Sequence, residues 1–415
     1  YDQILRDYPE SAYTDYVQYR QGIALLKSEK FESATLSFQS LELNFPNSAY
    51  LHDTKYYLAI AYFRKGNWTV AKKNINEFLS NPSAPKEFLA EANYILALST
   101  LNLGEYKNAL SLFQSILKNF PHHSNIVRNS EISIAKCHYN LDNFTEAIRL
   151  YQVIANKYAD DEVAEEALML LGDHYLQNND LDNAKAYYEQ IILKYPDSAR
   201  VDIVYFNLGQ IYEIKNEVEL AINYYKKVKK NNRELYAKAR LTIADIFAKQ
   251  LDQDTAIEHY QKIAITSPDF KRDAFFNIAN VYKQQQQNKE ALDILYEALK
   301  AEKGESKYSD VELQFYIADA HELLNNPNKA VEEYLKIPYI YSSEIAWIVK
   351  AYLRVARIFE NQEKWMDAKK IYSKIVRYDT DEKKFANERI RWIESNVGDG
   401  HFGDWHLSVS HQSVR

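Results

Sequence analysis

Histidines, one cysteine and a few paired carboxylates are the side chains here whose spacing could support chemistry. His122 and His123 form the one adjacent histidine pair, directly after Pro121, a position that reads as an exposed connection. His401, His406 and His411 recur every five residues, which aligns them on neither a helix nor a strand, so no shared metal is expected. Cys137 is the sole cysteine. It permits no disulfide framework and no thiolate cluster, and its helical, apolar context predicts a packed thiol. Asp160-Asp161 and Glu165-Glu166 fall where a helix begins, where negative charge complements the helix dipole. The sequence contains no glycine-rich phosphate loop, no Gly-x-Ser-x-Gly elbow and no His-Glu-x-x-His. These observations predict no catalytic residue, no metal and no cofactor, hence a protein that is not an enzyme.

Composition narrows the partners. The net charge is −7 over 415 residues, cations and carboxylates are interspersed, and nucleic acid is not an expected partner. The run Lys226-Lys227-Val228-Lys229-Lys230 reads as the wet end of a helix. No apolar run approaches the ~18 residues of a membrane span. Glycine and proline number nine each against 34 tyrosines, which predicts helices joined by short turns.

Self-similarity dominates the sequence. One alanine per unit serves as an anchor: Ala34, Ala71, Ala109, Ala147, Ala184, Ala221, Ala256, Ala291, Ala330 and Ala368, at intervals of 35 to 39 residues. Twelve residues before each anchor the residue is Gly or Ala (Gly22, Ala59, Ala97, Ala135, Gly172, Gly209, Ala244, Ala279, Ala318, Ala356). Four after it, eight of ten are aromatic, the exceptions being Ile75 and Leu295. Two antiparallel helices approach closely only where both present small side chains, and the ring one turn after the anchor lies on the same face. Turn residues such as Gly66-Asn67, Gly104-Glu105, Asp142-Asn143 and Asn325-Asn326 sit between the paired helices. Three residues before the anchor, apolar bulk gives way to Gln253, Asn288 and Pro327, so looser turns are expected in units seven to nine. Tyr8-Pro9, Phe45-Pro46, Phe120-Pro121 and Tyr195-Pro196 mark boundaries between units, with Ser11, Ser48, Ser124 and Ser198 placed to cap the next helix.

These columns resemble the tetratricopeptide repeat family over residues 1 to about 380. The long unit with aromatic-Pro-x-Ser is similar to a bacterial envelope subgroup that includes the barrel-assembly lipoprotein and the Tol–Pal coordinator. The resemblance implies an all-α, right-handed superhelical solenoid of about ten hairpins, acting as a protein–protein interaction scaffold in the periplasm or cell envelope. A periplasmic stalk of an outer-membrane export channel and a cytosolic assembly adaptor are the alternatives. Residues 1–380 are expected to form the solenoid and 381–397 a capping helix. Residues 398–415 are expected to form a tail or the first strand of a further domain, since Trp405, Leu407 and Val409 alternate. The opening Tyr1–Pro9 matches the second half of a unit, so a cut from a longer chain is expected.

The family's ligand-facing positions lie six and three residues before the Gly/Ala column and one, four and five after it. In the first three units they include Tyr16, Tyr19, Ile23, Leu26, Tyr56, Ile60, Phe63, Tyr94, Leu98 and Leu101, an apolar wall suited to an apolar or amphipathic segment of another protein. Later, the position after the column becomes Lys136, Asp173, Gln210, Asp245, Asn280, Asp319 and Arg357, a net acidic stretch suited to steering basic segments. The Lys and Asn of a chaperone carboxylate clamp are replaced by Tyr19/Ile23, Tyr56/Ile60 and Tyr94/Leu98.

Overall fold

Small residues facing large rings determine how the helices pair. The computed structural model describes residues 1–250 and 252–397, and among these lie 22 α-helices and no strand. The hairpins of the first five units are Thr14–Lys27 with Phe31–Asn44, Leu51–Arg64 with Trp68–Leu79, Lys86–Asn102 with Tyr106–Asn119, Ser124–Asn140 with Phe144–Lys157, and Glu162–Gln177 with Leu181–Lys194. The next five are Val201–Ile214 with Val218–Lys227, Arg233–Lys249 with Gln253–Thr266, Lys271–Gln284 with Asn288–Lys300, Asp310–Leu323 with Pro327–Ile340, and Ile345–Asn361 with Trp365–Ile375. A short helix, Asp2–Asp7, precedes them and Glu382–Val397 follows. The architecture is an all-α solenoid. It forms two compact units, one of residues Tyr1–Val204 and a second beginning at Tyr205.

The anchor alanines and their rings form the core. Ala34, Ala71, Ala109, Ala147, Ala184, Ala221, Ala256, Ala330 and Ala368 have no exposed surface, and Ala291 has almost none. Where the partner column is glycine, the ring occupies the place of the missing methyl. A Cβ on Gly172 would lie 2.5 Å from the Tyr188 ring and one on Gly209 would lie 2.6 Å from Tyr225, with Gly22 equally close to Phe38. Contacts so short would force the rings or helices apart.

In nine of the ten hairpin turns one residue adopts the left-handed conformation, each time five before the anchor. It is Glu29, Gly66, Gly104, Asp142, Asn179, Asn216, Gln286, Asn325 or Glu363, with φ between 57° and 77°. The next amide then reaches back to the carbonyl five residues earlier, as in Asn67 N–H to Tyr62 O at 2.9 Å and Gln287 N–H to Tyr282 O at 2.8 Å. This closure satisfies carbonyls orphaned at the helix end. The turns of units eight and nine, expected to be looser, close in the same way at Gln287 and at Asn326, whose N–H is 2.9 Å from His321 O. Backbone closure governs the turn, and Pro327 fits because it is the first helical residue, where no N–H is needed.

The boundary serines differ from expectation. Ser11, Ser48 and Ser198 accept the N–H of the residue two positions on, at 3.3, 3.2 and 3.0 Å. The helix starts three residues after each serine, so these side chains brace the turn rather than cap the helix. Ser124 is itself the first helical residue. Two of these hydroxyls also tie neighbouring units: Ser48 donates to Asp15 at 2.8 Å, and Ser198 donates to Glu165. Arg128–Asp161 at 2.8 Å and Arg272–Asp310 at 2.6 Å do the same elsewhere.

Helix Glu382–Val397 covers the last hairpin with buried Ala386 and Ile393, while Trp392 packs 5.5 Å from Trp365. The tail from residue 398, with the alternating stretch and the three histidines, lies outside the described residues. A left-handed conformation costs a non-glycine residue about 1–2 kcal/mol, and glycine's greater unfolded-state freedom returns part of any gain. Exposed Glu363→Gly is therefore expected to raise stability by about 0.5–1 kcal/mol and Gly66→Ala to lower it, although nothing lies within 4 Å of an added methyl there. Thermal unfolding followed by circular dichroism checks both signs.

Candidate functional site

The candidate wall is the exposed face of the first helices. In the first three units the expected residues divide into two classes. Tyr19 and Tyr56 are only 8% and 3% exposed, so the structure removes them from the surface. Tyr19 stacks on Tyr50 with centroids 4.9 Å apart, and Tyr56 stacks on Phe88 at 4.7 Å. In both cases the ring it meets comes from the next unit, Tyr50 from the connection and Phe88 from the following first helix. Burial drives both phenols far above their ordinary range. Tyr94 is half-buried, 6.0 Å from Phe113, with its hydroxyl pushed up to about 12 by burial.

The others remain accessible. Tyr16 is exposed, and Ile23, Leu26, Ile60, Phe63, Leu98 and Leu101 are half-buried, each with one side on the core of its own unit. The structure thus repeats a half-open apolar pair, one and four residues after the column, over three consecutive hairpins.

The change to polar residues in later units has an internal cause that composition alone does not reveal. A tyrosine ring lying against the small column brings its hydroxyl out on the first helix, where it needs an acceptor. Tyr188 donates to Asp173 at 2.6 Å, Tyr225 to Glu213 at 3.0 Å, Tyr260 to Asp245, and Tyr334 to Asp319 at 3.3 Å. Cations and amides of adjacent first helices complete these sites: Asn277 donates to Asp245 at 3.2 Å, and Arg354 and Lys283 reach Asp319 at 2.7 and 3.2 Å. In the first three units the ring position is Phe38, Ile75 or Phe113, which carry no hydroxyl, and the facing residues are Ile23, Ile60 and Leu98. The carboxylates expected to steer basic segments are therefore bonded within the chain. Units four and eight depart from the pairing: Tyr151 faces Lys136, and Leu295 faces Asn280.

The other chemically capable residues are also placed. His122 and His123 are exposed in their connection. Cys137 is fully buried, and burial pushes its thiol up to about 11, which leaves it protonated at neutral pH. Among the described residues no group of histidine, cysteine and carboxylates has metal-binding geometry, and no helix is long and apolar enough to cross a membrane.

Models of the tetratricopeptide repeat match residues 169–235 and 276–344, and a second such model matches 133–161. Over these segments the chain matches the tetratricopeptide repeat. Over residues 15–128, the part that carries the apolar pairs, the matching family model is YfiO, described as an outer membrane lipoprotein. No curated protein matches the sequence. Among solved structures, the C-terminal part of a tetratricopeptide repeat-containing protein from Cytophaga hutchinsonii is 17% identical. That match covers 70% of this chain and 97% of that one, with a TM-score of 0.40. PilW, titled a widely conserved type IV pilus biogenesis factor, is 13% identical over 54% of this chain and 96% of its own, with a TM-score of 0.42. MamA from Desulfovibrio magneticus is 17% identical over 44% and 96%, with a TM-score of 0.34.

The tyrosine–carboxylate pairs of this repeat array have a pH signature. Burial, partly offset by the Tyr260 hydrogen bond, holds the Asp245 carboxyl above its ordinary value. The folded state then binds more protons than the unfolded state as pH rises above the ordinary carboxylate value of about 3.9. Stability contributed by this group is present at acid pH and lost as pH climbs through the raised value. Asp245→Asn, which keeps a carbonyl acceptor for Tyr260, is expected to raise the melting temperature at pH 7 relative to wild type and to lose that advantage near pH 4. Paired melting curves at the two pH values check this.

Proposed function

We propose that the chain is a non-enzymatic scaffold of a bacterial cell-envelope assembly, holding an apolar or amphipathic segment of another protein along the first helices of units one to three. The observation that carries this reading is the repeated half-open apolar pair, Ile23/Leu26, Ile60/Phe63 and Leu98/Leu101. Each pair has one side on the core and one side in water. No ring hydroxyl over the column demands a polar residue there, whereas units five, six, seven and nine satisfy such a demand with carboxylates. An amphipathic helix presents anchors at three- and four-residue spacing, which suits a row of such pairs. The family model described as an outer membrane lipoprotein matches over these same units and supports the cell envelope, and the periplasm within it, as the place of action.

Charge reversal of the accessible residues is the decisive variant, because Tyr19 and Tyr56 are core and their loss would unfold the units. With Ile23→Glu, Ile60→Glu and Leu98→Glu combined, circular dichroism is expected to retain the helical signal. Site-specific photocrosslinking from Phe63 and Leu101 in cells is expected to trap the same partner in wild type and to lose it at least tenfold in the triple variant. Crosslinks unchanged by the triple variant, or equally strong from exposed Lys73 on the opposite helix, would remove this reading.

A further inference from the structure

A second surface, separate from the apolar pairs, has a different chemistry. Residues 226–240 contain seven cations and one carboxylate, Glu234, in a chain whose net charge is −7. Helix Val218–Lys227 is only 10 residues long, where most second helices have 14, and it ends at Val228 in an extended conformation (ψ 124°). The segment from Val228 to Asn232 displays Lys229 and Lys230 before the next helix begins at Arg233. Lys226, Lys227, Lys230, Arg233 and Lys238 are exposed, as is Lys262 on the neighbouring helix Gln253–Thr266.

Helix stability explains part of this set. Lys226 and Lys227 sit in the last turn of their helix, where cations complement the dipole, and the Arg240 guanidinium donates to Lys226 O at 3.2 Å. It does not explain Arg233, which is the first residue of its helix and opposes the dipole, nor Lys262, which lies in the body of another. Lys238 is neutralised locally, by Glu234 at 2.5 Å. The cations from three helices share one field. Burial, then Lys262, Lys226 and Arg240, hold the His259 imidazole below its ordinary value, with Glu258 opposing them. Aromatic faces fix several of these groups: Lys227 lies 4.4 Å from the Tyr224 ring, Arg240 lies 4.8 Å from Tyr236, and Lys230 lies 6.0 Å from Tyr236. Cations held on rings lose less freedom on meeting a carboxylate.

We infer that this basic face, formed by helices Val218–Lys227, Arg233–Lys249 and Gln253–Thr266, docks a carboxylate-rich segment of a partner protein. Charge complementarity determines the class of ligand, and the rings decide against a bilayer. Tyr224 and Tyr236 lie beneath cations, and the exposed large hydrophobic residues on these three helices are Leu220 and Ile265 among the described residues, too few to form the continuous apolar face that insertion between lipids requires. Clustered charges of one sign within a Debye length of about 8 Å reinforce one another toward an opposite chain and are screened by salt.

The test uses the full chain and a fluorescein-labelled peptide of twelve alternating Glu and Ser residues, read by anisotropy. Binding is expected at low salt, weakening at least tenfold between 50 and 300 mM NaCl, as charge-driven contacts do, by roughly that order. Lys226→Glu, Lys230→Glu and Lys262→Glu together are expected to lower affinity at least tenfold with an unchanged helical signal. The same charge change at exposed Lys73, Lys107 and Lys118 is expected to lower it less than twofold. Carbodiimide coupling followed by mass spectrometry is expected to place peptide carboxylates on Lys226, Lys230 or Lys262. Equal losses in the two triple variants would overturn the inference, as would absence of peptide binding. Co-sedimentation with phosphatidylglycerol vesicles in place of peptide binding would reassign the face to lipid.

Discussion

Close approach of two helices at one small residue is the constraint on which the rest of this chain depends. A ring from the second helix lies directly over the Gly/Ala column of the first, so near that Gly22, Gly172 and Gly209 have no room for a methyl. This contact fixes the spacing of each hairpin and determines where the ring's far edge emerges. Within each of the two compact parts neighbouring hairpins lean on one another, and polar bonds such as Ser48–Asp15 and Arg354–Asp319 join adjacent hairpins.

The chemical character of the surface follows from the same contact. A phenylalanine or isoleucine over the column ends inside the hairpin and leaves the first helix free to be apolar. A tyrosine delivers a hydroxyl to the first helix and calls for a carboxylate there, because an unmet buried donor costs about 1–3 kcal/mol. The polarity of the wall is therefore written partly by residues that never reach it. Units one to three are released from this demand, as is unit eight with Leu295, and the first helices of units one to three carry half-open apolar pairs.

Much of this was legible in the residue columns. The Gly/Ala column, the alanine anchors and the aromatic column predicted the hairpins because close packing tolerates few side-chain sizes. Gly66, Gly104 and Asn325 announced their turns, whereas Glu29, Gln286 and Glu363 take the same left-handed conformation without any signal in their type. Tyr19 and Tyr56 were misplaced on the surface because the column gives a position within one hairpin and says nothing of the ring that the next unit lays against it. Ser48 and Ser198 were read as caps because residue type does not show that their helices begin three residues on. The basic run at Lys226 resembled a helix end, and only the fold brings Arg240 and Lys262 to the same face.

The most direct test of the account is a double-mutant cycle between Gly209 and Tyr225, measured by denaturant unfolding of the full chain. Gly209→Ala alone gains about 1 kcal/mol of helix propensity but places a methyl 2.6 Å from the ring. The account predicts a net loss of stability with Tyr225 present and a net gain in the Tyr225→Leu background, with a coupling of at least ~1 kcal/mol. Additivity within about 0.3–0.5 kcal/mol would mean that ring and column do not set each other's place, and would contradict it.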